Sequence, residues 1–166
     1  MTALIPLARS SYCAIAVMEM DSNPSQKLGN QRELPSGRII LFDAECVLCS
    51  ANAHFILKHD HNKVFYLASM QGRVGSELFR RHGLDPTDPT SILVVDGALV
   101  RKDSDAVISI YEGLGMPWKV AAIFRLFPPF LRDPVYRLVA RNRYRIFGKR
   151  KTCWVPPAQF RARILS

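Results

Sequence analysis

The chain of 166 residues holds no apolar run approaching the ~18 residues that a helix needs to cross a bilayer, so no helical membrane span is expected. Cysteine is scarce. Four cysteines in a chain this long do not make a disulfide-stapled secreted scaffold. Internal repeats and low-complexity tracts are missing too. Acid is nearly missing from the C-terminal part: from Pro117 onward there are twelve lysines and arginines against one carboxylate, Asp133, a net of +11. The first 116 residues carry the other eleven basic and thirteen acidic side chains. The N-terminal stretch MTALIPLARSSYCAIAVMEM has no basic segment ahead of its apolar part. Arg9 lies inside that part, and Glu19 and Asp21 stand where a leader would be cleaved. A non-folded extension, and with it cytoplasmic residence, is the expectation.

What is present suffices for a folded domain: 48% apolar residues can bury a core. Residues 21–37, DSNPSQKLGNQRELPSG, are polar and broken by Pro24, Gly29, Pro35 and Gly37, so residues 1–37 are expected to form a disordered or poorly ordered arm. RIILF (38–42) predicts a buried strand. The segment from Glu45 to Asp60 has no proline or glycine, and Leu48, Ala51, Phe55 and Ile56 recur at helical spacing. Asp43 precedes it as a candidate cap. VFYLAS (64–69) predicts a second strand, and QGRVGSELFRRHGL a helix closed by Gly83. In SILVVDGALVRK two apolar runs flank Asp96-Gly97, a hairpin signal. SDAVISIYEGLG follows as a helix with Ser104 as its expected cap. Strand, helix, strand, helix, hairpin, helix is the order of a thioredoxin-like α/β domain with a mixed central sheet, here residues 38–116.

Residues 117–166 read as a basic helical C-terminal extension of the same domain. WKVAAIFRLF is amphipathic, Pro128-Pro129 breaks it, DPVYRLVARNRYRIF resumes as a helix, and KRKTCWVPP ends regular structure. At helical spacing Phe124, Phe127, Tyr136 and Val139 are expected as core contacts.

Cys46 and Cys49 form the one local cysteine pair. A strand, a short turn and then Cys46 in the first turn of a helix place its sulfur beside free backbone amides and the positive end of the helix dipole. Both favour the thiolate, the species that attacks a disulfide. Cys49, three residues on, lies on the same face and within reach to resolve the mixed disulfide. Asp43 opposes the helix effect by its charge. It also stands as a candidate proton acceptor for Cys49, beside the simpler reading as a cap.

Asp43, Cys46 and Cys49 form D-x-x-C-x-x-C, and FYLASMQG, the DG…SDA segment and ARNRYRIFGKRKTCWVP follow in order. In these motifs, from about Arg38 to the C-terminus, the chain resembles the DCC family of thiol-disulfide oxidoreductases. The resemblance implies a thioredoxin-like fold and dithiol/disulfide exchange at Cys46 and Cys49, on a thiol- or disulfide-bearing protein or small molecule. The redox partner is not named by it. No bound cofactor is implied, since the cysteine pair is itself the redox group. The dipeptide between the cysteines is Val47-Leu48, where thioredoxins carry Gly-Pro. Pro89 stands where the thioredoxin cis-proline would fall, although DPTDPT is also ordinary loop chemistry. Family tails often carry a cysteine at the place of Cys153, an accessory thiol here or a packed one under Trp154.

Three other readings compete. Zinc needs four ligands, and one Cys-x-x-Cys with His54, His59, His61, His82 and Cys153 makes an incomplete set, so no metal is expected. LFDAE resembles the strand-end acids of haloacid-dehalogenase-type phosphatases but lacks the matching lysine and second acidic motif. A non-catalytic binding module would use the basic tail. There a nucleic-acid partner lacks any recognised motif, and peripheral membrane contact is favoured by WKVAAIFRLFPPF with its flanking cations.

Overall fold

The computed structural model describes residues 35–85, 91–152 and 154–165. Strand β1 (Arg38–Phe42) is apolar at four consecutive positions because both of its faces are buried. Alternate side chains go to opposite sides of the sheet. Ile40 and Phe42 join a cluster with Ala53, Ile56 and Leu57 of helix α1 (Val47–His59). Ile39 and Leu41 join Leu78 and Phe79 of helix α2 (Arg73–Arg81) on the other face. Strand β2 (Phe65–Ser69) runs parallel to β1 through the α1 crossover. Strands β3 (Leu93–Asp96) and β4 (Leu99–Lys102) form an antiparallel hairpin, with β3 antiparallel to β1. Helix α3 (Asp103–Gly113) returns over the α1 face, adding Ala106 and Ile110 to the first cluster.

The thioredoxin-like arrangement expected from the element order is therefore observed, as a mixed five-stranded sheet ordered β4-β3-β1-β2-β5, where β5 is Ile164–Leu165, with helices on both faces. Two local signals decide much of it. Helix α2 ends in a Schellman motif: Leu84 N–H donates to the Phe79 carbonyl, Gly83 N–H to that of Arg80, and Gly83 has φ +69°. The same helix lies so close to β2 that a Cβ at Gly75 would stand 2.0 Å from the Ser69 carbonyl oxygen.

Several expectations are corrected. Asp96 pairs with Leu99, so the hairpin loop is Gly97-Ala98, one residue later than Asp96-Gly97. Gly97 alone takes positive φ (+59°), the pattern of a type II′ turn. Ser104 is not a cap. Its hydroxyl donates to Asp133, and α3 starts two residues earlier than that cap would place it, at Asp103 with Lys102 in the cap position. The break at Pro128-Pro129 is present, but the next helix, α4 (Pro129–Phe147), begins there with Pro134 inside it. WKVAAIFRLF folds as a 3₁₀ stretch (Trp118–Leu126) packed on α3. Regular structure does not stop at KRKTCWVPP. A 3₁₀ turn (Ala158–Arg163) leads into β5 (Ile164–Leu165), which pairs parallel with Leu67 and Ala68.

The C-terminal segment is fastened by an ion pair. Asp60, 4% exposed at the end of α1, accepts Val64 N–H at 3.0 Å, Phe65 N–H at 2.9 Å and the Arg163 guanidinium. Arg163 also donates through Nε to the Phe65 carbonyl at 3.0 Å. Removing one member of a buried pair leaves the other charge uncompensated. Arg163→Met is expected to lower the unfolding free energy by about 3–5 kcal/mol in urea titrations. A loss below about 1 kcal/mol would show that Asp60 is held adequately by its two amides.

Candidate functional site

Cys46 sits at the junction between β1 and α1 as the N-cap residue, with extended backbone (φ −80°, ψ 127°). Its Sγ accepts the Cys49 backbone N–H at 3.2 Å, which satisfies one of the free amides of the helix start. The cap is thus the cysteine itself, and Asp43 does not cap α1.

Asp43 instead closes a buried polar network below the pair. Its Oδ1 accepts Glu45 N–H at 3.0 Å and Gln71 Nε2–H at 2.7 Å. Its Oδ2 accepts Arg143 at 3.0 Å and the Tyr144 hydroxyl. Both oxygens carry two donors, and Asp43 is 1% exposed. Gln71 turns its other end to the cysteine loop, where its Oε1 accepts Ala44 N–H at 3.1 Å. No local pattern assigns a role to Gln71, Arg143 or Tyr144, although Gln71 lies in FYLASMQG and the other two in ARNRYRIFGKRKTCWVP. The signal was indirect: a buried carboxylate beside a thiol pair requires a cation, and the cations are concentrated in the C-terminal extension.

Two polar contacts and two charges, those of Arg143 and Asp43, act on the thiols. The side-chain hydrogen bond from Cys49 lowers the Cys46 thiol most, with help from the Cys49 amide and the Arg143 charge, against burial and the Asp43 charge. The result is about 6. Cys49 moves strongly the other way, because it donates that same bond to Cys46 and is itself desolvated. At neutral pH the proton therefore belongs to Cys49 and the negative charge to Cys46.

Access is arranged in the opposite sense. Cys46 is 0% exposed, while Cys49 is half-buried. A strap from the extension lies over Cys46: Cys46 and Lys149 form an antiparallel bridge, and Arg150 N–H donates to the Glu45 carbonyl at 2.7 Å. Lys149 Nζ pairs with Glu45 at 2.7 Å, and the Trp154 ring meets Phe42 edge-on with centroids 5.6 Å apart. Cys49 opens instead onto a pocket of about 80 Å³ lined mainly by Phe42, Leu48, Met70, Ile92, Tyr136, Val139 and Ala140, with Asp43 and Arg143 at its polar side. The Nε of Arg143 is buried without a hydrogen-bond partner among the described residues. This space holds a group of side-chain size.

Pro89 and Cys153 lie outside the described residues. His54 and His59 are in aromatic contact, with Phe160 and with Phe55 and Trp118 respectively, and His59 Nδ1 is 2.8 Å from the Phe55 carbonyl oxygen. Among the described residues no helix is long and apolar enough to cross a membrane.

A parallel βαβ unit and antiparallel hairpin, with a Cys-x-x-Cys pair at the start of the first helix, define a thioredoxin-like dithiol protein. The family model for DCC1-like thiol-disulfide oxidoreductases matches residues 40–149, and the chain belongs to that family. It is 35% identical over 130 residues to the uncharacterized protein YuxK of Bacillus subtilis, covering 77% of this chain and 93% of that one. It is also 35% identical over 116 residues to the DCC family protein At1g52590, chloroplastic, of Arabidopsis thaliana, covering 69% of this chain and 67% of that one. No solved structure matches the chain.

The thiolate assignment can be read by absorbance at 240 nm during a pH titration of the reduced protein. A midpoint near 6 is expected for Cys46. Cys49→Ala removes the largest stabilising contact and is expected to raise that midpoint by a unit or more, and Arg143→Met by less. An unchanged midpoint in Cys49→Ala would overturn the hydrogen-bond account.

Proposed function

We propose that the protein is a thiol-disulfide oxidoreductase in which Cys46 is the attacking thiol and Cys49 the resolving one. The observation that supports this is the Cys46 sulfur, held as a thiolate by the Cys49 thiol and amide with Arg143 nearby. Attack by Cys46 on a substrate disulfide forms a mixed disulfide and releases one substrate sulfur as thiolate. Bonding consumes the negative charge on Cys46, so the interaction that raised the Cys49 thiol is lost. Cys49 then gives its proton to the released thiolate or to water and attacks Cys46. The products are the Cys46–Cys49 disulfide and the second substrate sulfur, which leaves as a thiolate, two electrons having passed from protein to substrate. The reverse sequence oxidises a dithiol.

Asp43 acts in this scheme as a positioning residue. Its oxygens already hold four donors, including the Arg143 guanidinium that lowers Cys46. A role as proton acceptor from Cys49 would require it to release one of them. The substrate is a thiol- or disulfide-bearing protein or small molecule, and the pocket beside Cys49 seats one small apolar group of it. In a reducing compartment such as the cytoplasm, reduction of the substrate is the working direction, completed by a separate dithiol donor.

Exposure favours a second assignment, with Cys49 as the entry thiol, since Cys46 lies under the strap. The two are separated by trapping with glutathione disulfide and mass spectrometry. Cys49→Ser is expected to accumulate a mixed disulfide on Cys46, and Cys46→Ser to accumulate none. The opposite pattern would assign attack to Cys49. If the native pair does not interconvert in graded thiol/disulfide buffers, or binds stoichiometric zinc, the oxidoreductase reading fails.

A further inference from the structure

Helix α4 is apolar on two sides. One side faces the protein, with Tyr136, Ala140 and Arg143 turned toward the α1–α3 layer and the cysteine site. On the side away from it, Leu131, Val135, Leu138 and Ile146 recur at spacings of four, three and eight and are 54%, 63%, 65% and 61% exposed. The preceding segment continues this character, with Val120, Ile123, Phe124, Leu126, Phe127 and Phe130 each more than half exposed. Phe124 and Phe127, expected in the core, are therefore on the surface, and Val139 is 40% exposed at the pocket edge. An exposed apolar set of this extent marks an interaction surface.

The charges around it point to the occupant. Six cations of the extension are matched by carboxylates elsewhere: Arg125 and Arg132 with Asp105, Arg137 with Asp103, Arg143 with Asp43, Lys149 with Glu45, and Arg163 with Asp60. The other six, Lys119, Arg141, Arg145, Arg150, Lys151 and Arg161, are exposed and make no ion pair with a described residue. Arg141 and Arg145 lie on α4 beside its outward stripe, between Leu138 and Ile146, and Lys119 is in the first turn of the 3₁₀ segment. Asp133, the one acid of this region, is bound to Ser104. A second copy of the chain would bring the same cations against this face and be repelled.

We propose that the outward face of residues 116–147 docks on an anionic lipid bilayer, lying in its interface with the flanking cations at the headgroups. Exposed apolar side chains beside unmatched cations are the physical signature of a helix that lies on a membrane. This inference is independent of the redox reading, though it would place the Cys49 pocket, whose wall includes Val139 of the same helix, beside the lipid surface.

Cosedimentation of the full chain with vesicles tests it. Binding is expected to phosphatidylcholine vesicles containing phosphatidylglycerol, at least about tenfold stronger than to phosphatidylcholine alone, and weakened by added salt. Val135→Gln combined with Leu138→Gln is expected to lower the partition coefficient at least about tenfold. Far-ultraviolet circular dichroism and the Cys46 titration confirm that the double variant remains folded. Arg141→Gln with Arg145→Gln is expected to remove most of the preference for anionic vesicles. Equal weak binding to both vesicle types would overturn the proposal. So would a stable dimer, seen in sedimentation equilibrium, that the Val135/Leu138 double variant dissociates.

Discussion

The carboxylate of Asp43 is the point on which this structure converges. It lies at the end of the central strand, 1% exposed, with donors from three separate parts of the chain: the Glu45 amide, the Gln71 amide group and the Arg143–Tyr144 pair. A buried charge is tolerated only when paired and fully hydrogen-bonded. The loop carrying Cys46, the turn after β2 and helix α4 therefore have to arrive together. The same contact brings the Arg143 charge to the thiols, so the requirement to satisfy an acid in the core and the lowering of the Cys46 thiol share one guanidinium.

That coupling changes the meaning of the basic extension. Its excess charge looks from the sequence like a single property, a solvated or docking surface. In the folded chain it divides into two equal groups. Six cations pair with acids of the first 116 residues, three of them (Arg137, Arg143 and Arg163) against buried carboxylates, and six remain exposed. Attraction between an acidic N-terminal half and a basic C-terminal one is thus partly an internal matter of folding. The exposed remainder alone is available to a partner.

What could be read in the sequence was what neighbouring residues decide. The apolar run of β1, the glycine that closes α2 and the hairpin at Gly97 depend on backbone chemistry within a few positions. The Cys-x-x-Cys pair at a helix start was legible for the same reason. The partners of Asp43 and Asp60 were not, because Arg143 and Arg163 come from 100 and 103 residues away and no spacing rule connects them. The 3₁₀ segment that precedes α4 misled in a more instructive way. Apolar residues at helical intervals identify a face but not what covers it, so Phe124 and Phe127 read as core and proved to be surface. Strand β5 is two residues long and exists only because β2 offers it an edge, a circumstance invisible to any local pattern.

The strap of residues 148–150 across the Cys46 loop has a consequence for how the molecule comes into being. Synthesis proceeds from the N-terminus, and domains fold as they emerge. When the ribosome has released the first strand, helix and hairpin, the two cysteines are already side by side. Arg143 and Lys149, however, are still to be made. Until they arrive, the nascent pair lacks both the positive charge that helps ionise Cys46 and the backbone that shields it. The thiol acquires its final acidity and its cover in the same late step.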